Sequence, residues 1–397
     1  GNLGTFRGGN GFPLAYQGER TGDYPFFKVS DMNTPGNEVF MSRAVHRISE
    51  STRRAIGATV FPAGAIVFAK VGAAVFLERK RILAQPSCID NNMAAFTLDG
   101  GQLELRFAHH LFEATKLSEL VATTALPSLN GKTLSSMQML VPPRPEQRSI
   151  AHALGDVDTL LERLDQLIAK KRDLKQAAMQ RLLTGQTRLP GFSGEWEVKR
   201  LSEIGDIRSG GTPSTRQPHF WDGDVPWCTP TDITALSGHK YLTTTARNIS
   251  AAGLQSSSAE VIPARSLIMT SRATIGACAI NLTPMTTNQG FKSIVPVAEI
   301  DVEFLYYLMT TQESGLVALC GGSTFLEISK KQLSAYEIRL PADRTEQVAI
   351  SAVLSDIDAE LAVLDARRNK TQDIKLAMMQ ELLTGKTRLH TTGGSNG

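Results

Sequence analysis

Two stretches of the chain carry apolar residues at steps of three and four, and they lie two hundred residues apart. In the first, Leu154, Val157, Leu161, Leu164 and Ile168 form one stripe; in the second, Leu354, Ile357, Leu361 and Leu364 repeat it. That spacing is the seam of a coiled coil. Each stretch opens on Glu-Gln at 146–147 and 346–347, and closes on Leu-Leu-Thr-Gly and then Thr-Arg-Leu, ending at 189 and 389. Set side by side without a gap, 146–189 and 346–389 agree at 22 of 44 positions, so one helix has been duplicated. From 146 to 183 it would run roughly 57 Å at 1.5 Å per residue. Pro145 suits a first helical turn, Asp343 with Glu346 can form a capping box, and Gly185 and Gly385 are placed for left-handed caps. Neither seam can be buried against its own helix, so the copies are expected to pack on each other. Lys171, Lys175, Arg368 and Thr371 interrupt the seam toward its C-terminal half, which predicts either a fraying end or a surface kept for another protein.

The stretches before each helix follow a different rhythm, of short β-rich runs between turns. Ala65-Ile66-Val67-Phe68 and Ser266-Leu267-Ile268-Met269 are buried-strand candidates, each behind a proline turn. Residues 104–121 and 302–319 read as helical. The two modules also match each other. Leu3 to Arg7 aligns on Ile204 to Arg208, Asp23 to Lys28 on Asp224 to Thr229, and Phe107 with His109-His110 on Phe304 with Tyr306-Tyr307. Identity here is far poorer than in the helices: the frame is kept and the detail changed. The expected fold is α+β, in the order module (1–142), helix (143–189), module (190–341), helix (342–389) and flexible tail (390–397). The second module has a lead-in, Gly191 to Trp196. The first starts abruptly at the counterpart of Ile204, without lead-in or initiator methionine, so either the sequence begins late or the natural start is short.

Composition narrows the class. No apolar run reaches 18 residues, so no membrane span is expected; no signal peptide is visible. Cys88, Cys228, Cys278 and Cys320 stand far apart, which predicts buried thiols in a reduced, cytoplasmic protein rather than a zinc site. The net charge of +3 is not the strongly basic footprint of a protein that binds nucleic acid by charge alone. Tight DNA binding would need local patches or a partner's contacts.

Catalytic signatures are missing. Gly131-Lys132-Thr133 ends like a phosphate-binding loop, but Leu126 stands where its first glycine belongs. There is no Gly-x-Gly-x-x-Gly and no Asn-Pro-Pro-aromatic run. The seven histidines do not cluster with carboxylates at metal spacing, and His109-His110 read as packing or surface residues of a helix. Asp156/Asp158 and Asp356/Asp358 read as solvated outer-face charges. The candidates for nucleic-acid contact are polar and basic loop residues: Arg43, Arg47, Arg53, Arg54, Lys70 and Arg79-Lys80-Arg81 in the first module. In the second they are Arg208, Thr212, Ser214, Thr215, Arg216, Arg247, Ser271, Arg272, Lys330 and Lys331. Arg and Lys position on phosphates and pair with guanine edges, and Ser and Thr add short hydrogen bonds. Arg272 is the strongest single candidate, because Thr270 to Gly276 is a polar, turn-forming stretch directly after a buried strand.

Divergent module, similar helix, divergent module, similar helix resembles the specificity subunit of type I restriction-modification systems. The likeness is carried by the repeated Glu-Gln to Thr-Arg-Leu stretches, Trp196 to Leu201, Ile204, Ser209-Gly210-Gly211-Thr212-Pro213, Ile233, Ser271 to Gly276, Asn288-Gln289-Gly290 and Ile328-Ser329 before Leu333. The resemblance implies two target recognition domains, each reading half of a split, asymmetric site in double-stranded DNA. It implies an antiparallel coiled coil with a pseudo-twofold repeat, which sets the gap and docks methyltransferase (modification) subunits. It implies no catalysis and no cofactor in this chain: S-adenosylmethionine would belong to the modification subunit, and ATP to the restriction subunit. The first module departs from the pattern, with Lys70-Val71 in place of Ser271-Arg272. The competing expectation is a scaffold with two binding modules on a coiled-coil spacer that does not touch DNA; the near-neutral charge is its support.

Overall fold

The computed structural model describes residues 3–121, 127–320 and 326–389; the expected tail at 390–397 and Leu126 lie outside them. Contacts divide the chain into two compact units. One combines 1–165 with 366–397, and the other is 166–365. The boundary therefore cuts both long helices, Arg144–Leu182 and Arg344–Leu382, near their middles. Each module forms a unit with the first half of its own helix and the second half of the other.

In the first unit a five-stranded sheet runs in the order Gly4–Gly8, Met93–Leu98, Ile66–Ala69, Lys80–Leu83, Phe40–Met41. A three-stranded sheet places Tyr24–Phe27 between His46–Ile48, antiparallel, and Cys88–Ile89, parallel. The second unit repeats this strand for strand. Its larger sheet runs Gly205–Ser209, Lys292–Pro296, Leu267–Met269, Cys278–Asn281, Tyr241–Leu242. Its smaller sheet places Trp221–Cys228 between Asn248–Ile249 and Thr286–Thr287. The same buried carboxylate organises both small sheets. Asp31 accepts from the backbone N–H of Lys28 (2.7 Å) and of Val45 (3.4 Å); Asp232 accepts from Thr229 (2.7 Å) and Ala246 (2.8 Å). One aspartate thus caps a short helix and pins the next strand, which is why Asp31 and Asp232 survive in modules that otherwise differ. The second unit adds a pair, Trp196–Arg200 with Glu337–Pro341, that has no counterpart among the described residues of the first.

The identities in the duplicated helices concentrate where a helix meets its module. Ile150 and Leu154, with Leu382 and Leu383, join the core of the first module around Phe68, Phe96, Phe107 and Phe112. Ile350 and Leu354, with Leu182 and Leu183, join the core of the second around Phe304, Leu305 and Ile294. Leu154 and Leu354 are therefore module core as well as helix seam. Leu161, Leu164, Ile168 and Leu361 are buried, and Val157, Ile357 and Leu364 half-buried. Gln147 and Gln347 stitch helix to module in the same way. Gln147 accepts from the N–H of Glu104 (2.8 Å) and donates to the carbonyls of Gln102 and Pro142. Gln347 accepts from Asp301 (2.9 Å) and donates to the carbonyls of Glu299 and Pro341.

The helices run antiparallel in each unit, since one partner's number falls as the other's rises. In the first unit Asp165 pairs with Arg368 (3.0 Å), Asp158 with Lys375 (2.7 Å) and Glu146 with Arg388 (2.6 Å). In the second Lys171 pairs with Glu360, Lys175 with Asp358 (2.6 Å) and Glu346 with Arg188 (2.5 Å). These pairs correct two expectations. Lys171, Lys175 and Arg368 do not mark a frayed end; they make cross-helix ion pairs, and Thr371 is buried with its hydroxyl donating to the Arg367 carbonyl. The capping box at Asp343 does not close: Asp343 accepts from Thr345, while Glu346 receives two hydrogen bonds from Arg188. The glycine caps form as expected, with φ of 72° at both Gly185 and Gly385. That left-handed turn sends the following Thr-Arg-Leu back so that Arg188 and Arg388 meet the start of the opposite helix.

Candidate nucleic-acid interface

In the second unit the polar loops join into one strip. The loop after Gly205–Ser209 is held at Gly211, whose N–H donates to the Thr287 carbonyl (2.9 Å) and whose carbonyl accepts from the Trp227 indole (2.9 Å). Thr212 hydrogen-bonds the Gln289 side chain. The neighbouring Gly290 carbonyl accepts from the Ser271 N–H (2.7 Å). Arg272 then bridges to Glu327 through backbone pairing and a 2.8 Å ion pair. Lys330 and Lys331 open the next helix and are exposed. Beneath the strip, Lys292 is buried, which lowers its pKa, with Glu327 acting against that shift. The buried hydroxyls of Ser271, Thr287 and Ser293 have no hydrogen-bond partner among the described residues.

Strand pairing identifies the counterparts. Arg272 pairs with Glu327 where Val71 pairs with Ser128, and Lys292 faces Ser209 where Ala94 faces Gly8. Three charged side chains of the second unit are thus replaced by uncharged ones. Instead the first unit has Lys70 at the Ser271 position, its ammonium lying against Gly8, where a Cβ would come within 2.4 Å of Nζ.

The predicted residues separate into two groups. Some cations are held by internal partners. Arg53 makes two hydrogen bonds to Glu50 and one to the Ala58 carbonyl, and Arg54 shares Glu50. These hydrogen bonds bring Glu50 down to about 2. Arg208 pairs with Asp206 and donates to the Val261 carbonyl, Arg43 donates to the Pro35 carbonyl, and Arg47 clamps the carbonyls of Gly22 and Asp23. Lys80 is buried against Glu78 and the Thr115 carbonyl. The side chains of Lys70, Arg79, Arg216, Lys330 and Lys331 make no hydrogen bond or ion pair with any described residue. Ser214 lends its carbonyl to the Trp221 indole (3.2 Å).

Charge patterns alone conceal a second polar cluster, where module meets helices. Asp158 and Asp358 are not solvated outer-face charges. Asp358 binds Lys175 and accepts from the Tyr307 hydroxyl (2.6 Å), and Lys240 reaches Glu303, Tyr307 and Ser355. In the first unit Asp158 binds Lys375 and faces Arg106 and His110. Nor are the histidines clear of carboxylates: ligand atoms of His109, His110 and Glu113 lie within 4.8 Å of one another. Glu113 is already taken by His110 (3.1 Å) and Lys375 (3.5 Å). With the Lys375 ammonium alongside, the group reads as a charge-balanced hydrogen-bond network rather than a cation site.

This network carries a pH prediction. Burial opposes the charged form of Glu113, but the His110 hydrogen bond and nearby His109 and Lys375 outweigh it and bring the carboxyl down to about 2. Burial holds His109 below its ordinary 6.5. The unfolded chain therefore takes up a proton at His109 that the folded chain refuses, so stability should fall as pH drops below about 6.5. The Glu113 contribution is lost lower, between its ordinary 4.5 and about 2. Melting curves of His109→Phe between pH 7 and 5 should show a flatter acid slope than the parent; an unchanged slope would refute the assignment.

Two modules of one topology, each tied to halves of two antiparallel helices, define a protein built by internal duplication. The sequence profile described as "Type I restriction modification DNA specificity domain" matches residues 1–170 and 193–371. The chain belongs to that family. It is 40% identical over 166 residues to the type I restriction enzyme MjaIX specificity subunit of Methanocaldococcus jannaschii, a stretch covering 41% of this chain and 38% of that one. It is 30% identical over 196 residues to the HindI specificity subunit of Haemophilus influenzae, covering 48% and 41%. These matched stretches span about two fifths of each relative's length. The fold is shared with the S subunit of the type I system of M. genitalium (TM-score 0.57, 15% identity, 96% and 94% of the two chains). It is also shared with a chain solved in work on complex assembly and conformational transition of the type I R-M system (TM-score 0.61, 17% identity, 98% and 97%). Nothing in these likenesses supports the scaffold that does not touch DNA. No described helix is long and apolar enough to cross a membrane.

Proposed function

We propose that this chain is the sequence-reading component of a type I restriction-modification assembly. Each module reads one half of a bipartite, asymmetric site in double-stranded DNA. The long helices set the gap and offer the docking surface for modification subunits. The chain performs no chemistry itself: methyl transfer with S-adenosylmethionine and ATP-driven restriction belong to partner subunits, in the cytoplasm. One observation carries the reading. The two sheets of each module agree strand for strand, yet the loop-edge charges differ, with Arg272, Glu327 and Lys292 in one module and Val71, Ser128 and Ala94 in the other. A shared frame with exchanged contact chemistry is what two readers of different half-sites require, because base contacts specify while the frame positions.

The near-neutral charge implies that partners add phosphate contacts. Titrating fluorescent random-sequence duplex DNA with the chain plus modification subunits should show binding that weakens steeply with salt, as counterion release requires. The chain alone should bind far more weakly. An assembly that leaves duplex DNA unbound at low salt would contradict the reading.

A further inference from the structure

The small sheet of each module presents one side chain in a setting that its own sequence does not reveal. In the second unit Arg247 lies opposite Trp227, whose N–H donates to the Arg247 carbonyl (3.0 Å). Its guanidinium sits 4.0 Å over the Trp221 ring and 5.6 Å from Trp227. The two indoles meet edge to face at 5.0 Å. Each indole N–H ties down the 209–216 loop, Trp227 at the Gly211 carbonyl and Trp221 at the Ser214 carbonyl. Arg247 is exposed, and its guanidinium makes no hydrogen bond or ion pair with any described residue. One face is thus packed on aromatic carbon while its N–H edges stay free.

The counterpart position in the first unit is His46, which lies opposite Phe26. Its ring stands 5.4 Å from Phe12, edge on, and Phe12 stacks on Phe26 at 3.8 Å. The Gly18 N–H donates to His46 Nδ1 (2.9 Å), so that nitrogen carries a lone pair and the neutral ring's proton sits on Nε2. The aromatic pair and the side chain it supports have both changed, yet a nitrogen donor backed by aromatic rings recurs at one register position. In each unit it adjoins the loop that follows the edge strand of the larger sheet, Gly4–Gly8 or Gly205–Ser209: Phe12 and Gly18 lie in that loop in the first unit, Gly211 and Ser214 in the second.

We propose that Arg247 and His46 are the specificity-determining base contacts of the two modules: Arg247 reads a guanine, and His46 presents a single N–H donor to one base acceptor. This rests on the DNA-reading function proposed above. An arginine stacked on an aromatic face loses little freedom when its planar fork engages two acceptors, and guanine O6 and N7 supply that pair in the major groove. A single imidazole N–H makes one bond, so the half-site of the first module is read less stringently at that position. A phosphate contact would need only charge; the stacked, oriented fork of Arg247 and the fixed tautomer of His46 supply direction.

The test is selection of bound sequences from a random duplex library by the assembled complex, for the parent and for Arg247→Ala, Arg247→Gln and His46→Ala. Arg247→Ala should relax one guanine in one half-site, with discrimination there falling roughly tenfold to a hundredfold, and leave the other half-site intact. Arg247→Gln keeps the packing on Trp221 and should shift that position toward adenine, the base whose N6 and N7 match an amide. His46→Ala should relax one position in the opposite half-site. The intact second half-site in each selection shows that the variant has folded. If both half-sites are unchanged, or binding weakens with no change of preference, the inference is overturned and DNA reading stands. If the parent selects no sequence, the DNA reading itself fails, and this inference with it.

Discussion

Arg188→Ala should destabilise the second unit by about 3 to 5 kcal/mol, the range for removing one partner of a buried ion pair. Glu346 is only 2% exposed and accepts two hydrogen bonds from Arg188, at 2.5 and 2.6 Å. The guanidinium also donates to the Gly194 carbonyl (2.6 Å) and lies 5.9 Å over the Trp196 ring. Truncation leaves a buried carboxylate without this partner and frees the connection from helix to lead-in strand in one stroke. The equivalent change in the first unit should cost less. Arg388 binds Glu146 with the same two-pronged geometry and Glu146 is buried too, but the Arg388 side chain is 58% exposed against 25% for Arg188. The Leu389 N–H also donates to Glu146 (3.2 Å), so a smaller loss is expected. Urea unfolding of the two variants, read at constant m-value, measures the difference. Equal losses would show that the two latches do not differ in burial as described.

The same latch shows why part of the fold could be read from sequence and part could not. The duplicated helix announced itself because Glu146, Gln147, Leu154, Leu182, Leu183, Arg188 and their second copies serve one architecture twice. Each makes a contact that permits little substitution. Periodicity also located Leu161, Leu164 and Ile168, whose burial depends only on spacing along the helix. It could not show that Leu154 and Leu354 also enter module cores, because a seam position looks alike whichever surface covers it. The setting of Asp158 and Asp358 is hidden in the sequence for the same reason. Their partners, Lys375 and Lys175, lie on the other helix, and only the antiparallel register brings them together. The capping box failed through competition: Glu346 had a closer charged partner than a backbone N–H.

At the candidate interface, sequence found loops but not their state. Arg53, Arg54 and Arg208 look like available cations in a sequence, and each is held by a nearby carboxylate. Lys70 and Arg216 look no different, and their side chains are free of described partners. His46 gave no signal at all. Its role depends on Phe12, Phe26 and Gly18, which strand pairing and a turn bring to it.

We propose that the duplicated helices hold two dissimilar readers at a set spacing. The direct test is to insert four residues into each helix at the boundary between the units, after Asp165 and after Asp365, and to map the site the assembled complex selects. Four residues lengthen a helix by about 6 Å, more than one base-pair step of about 3.4 Å. Both half-site sequences should be retained, because the modules are untouched, and the gap between them should widen by one or two base pairs. A folded, lengthened protein that selects the parental gap would contradict the account.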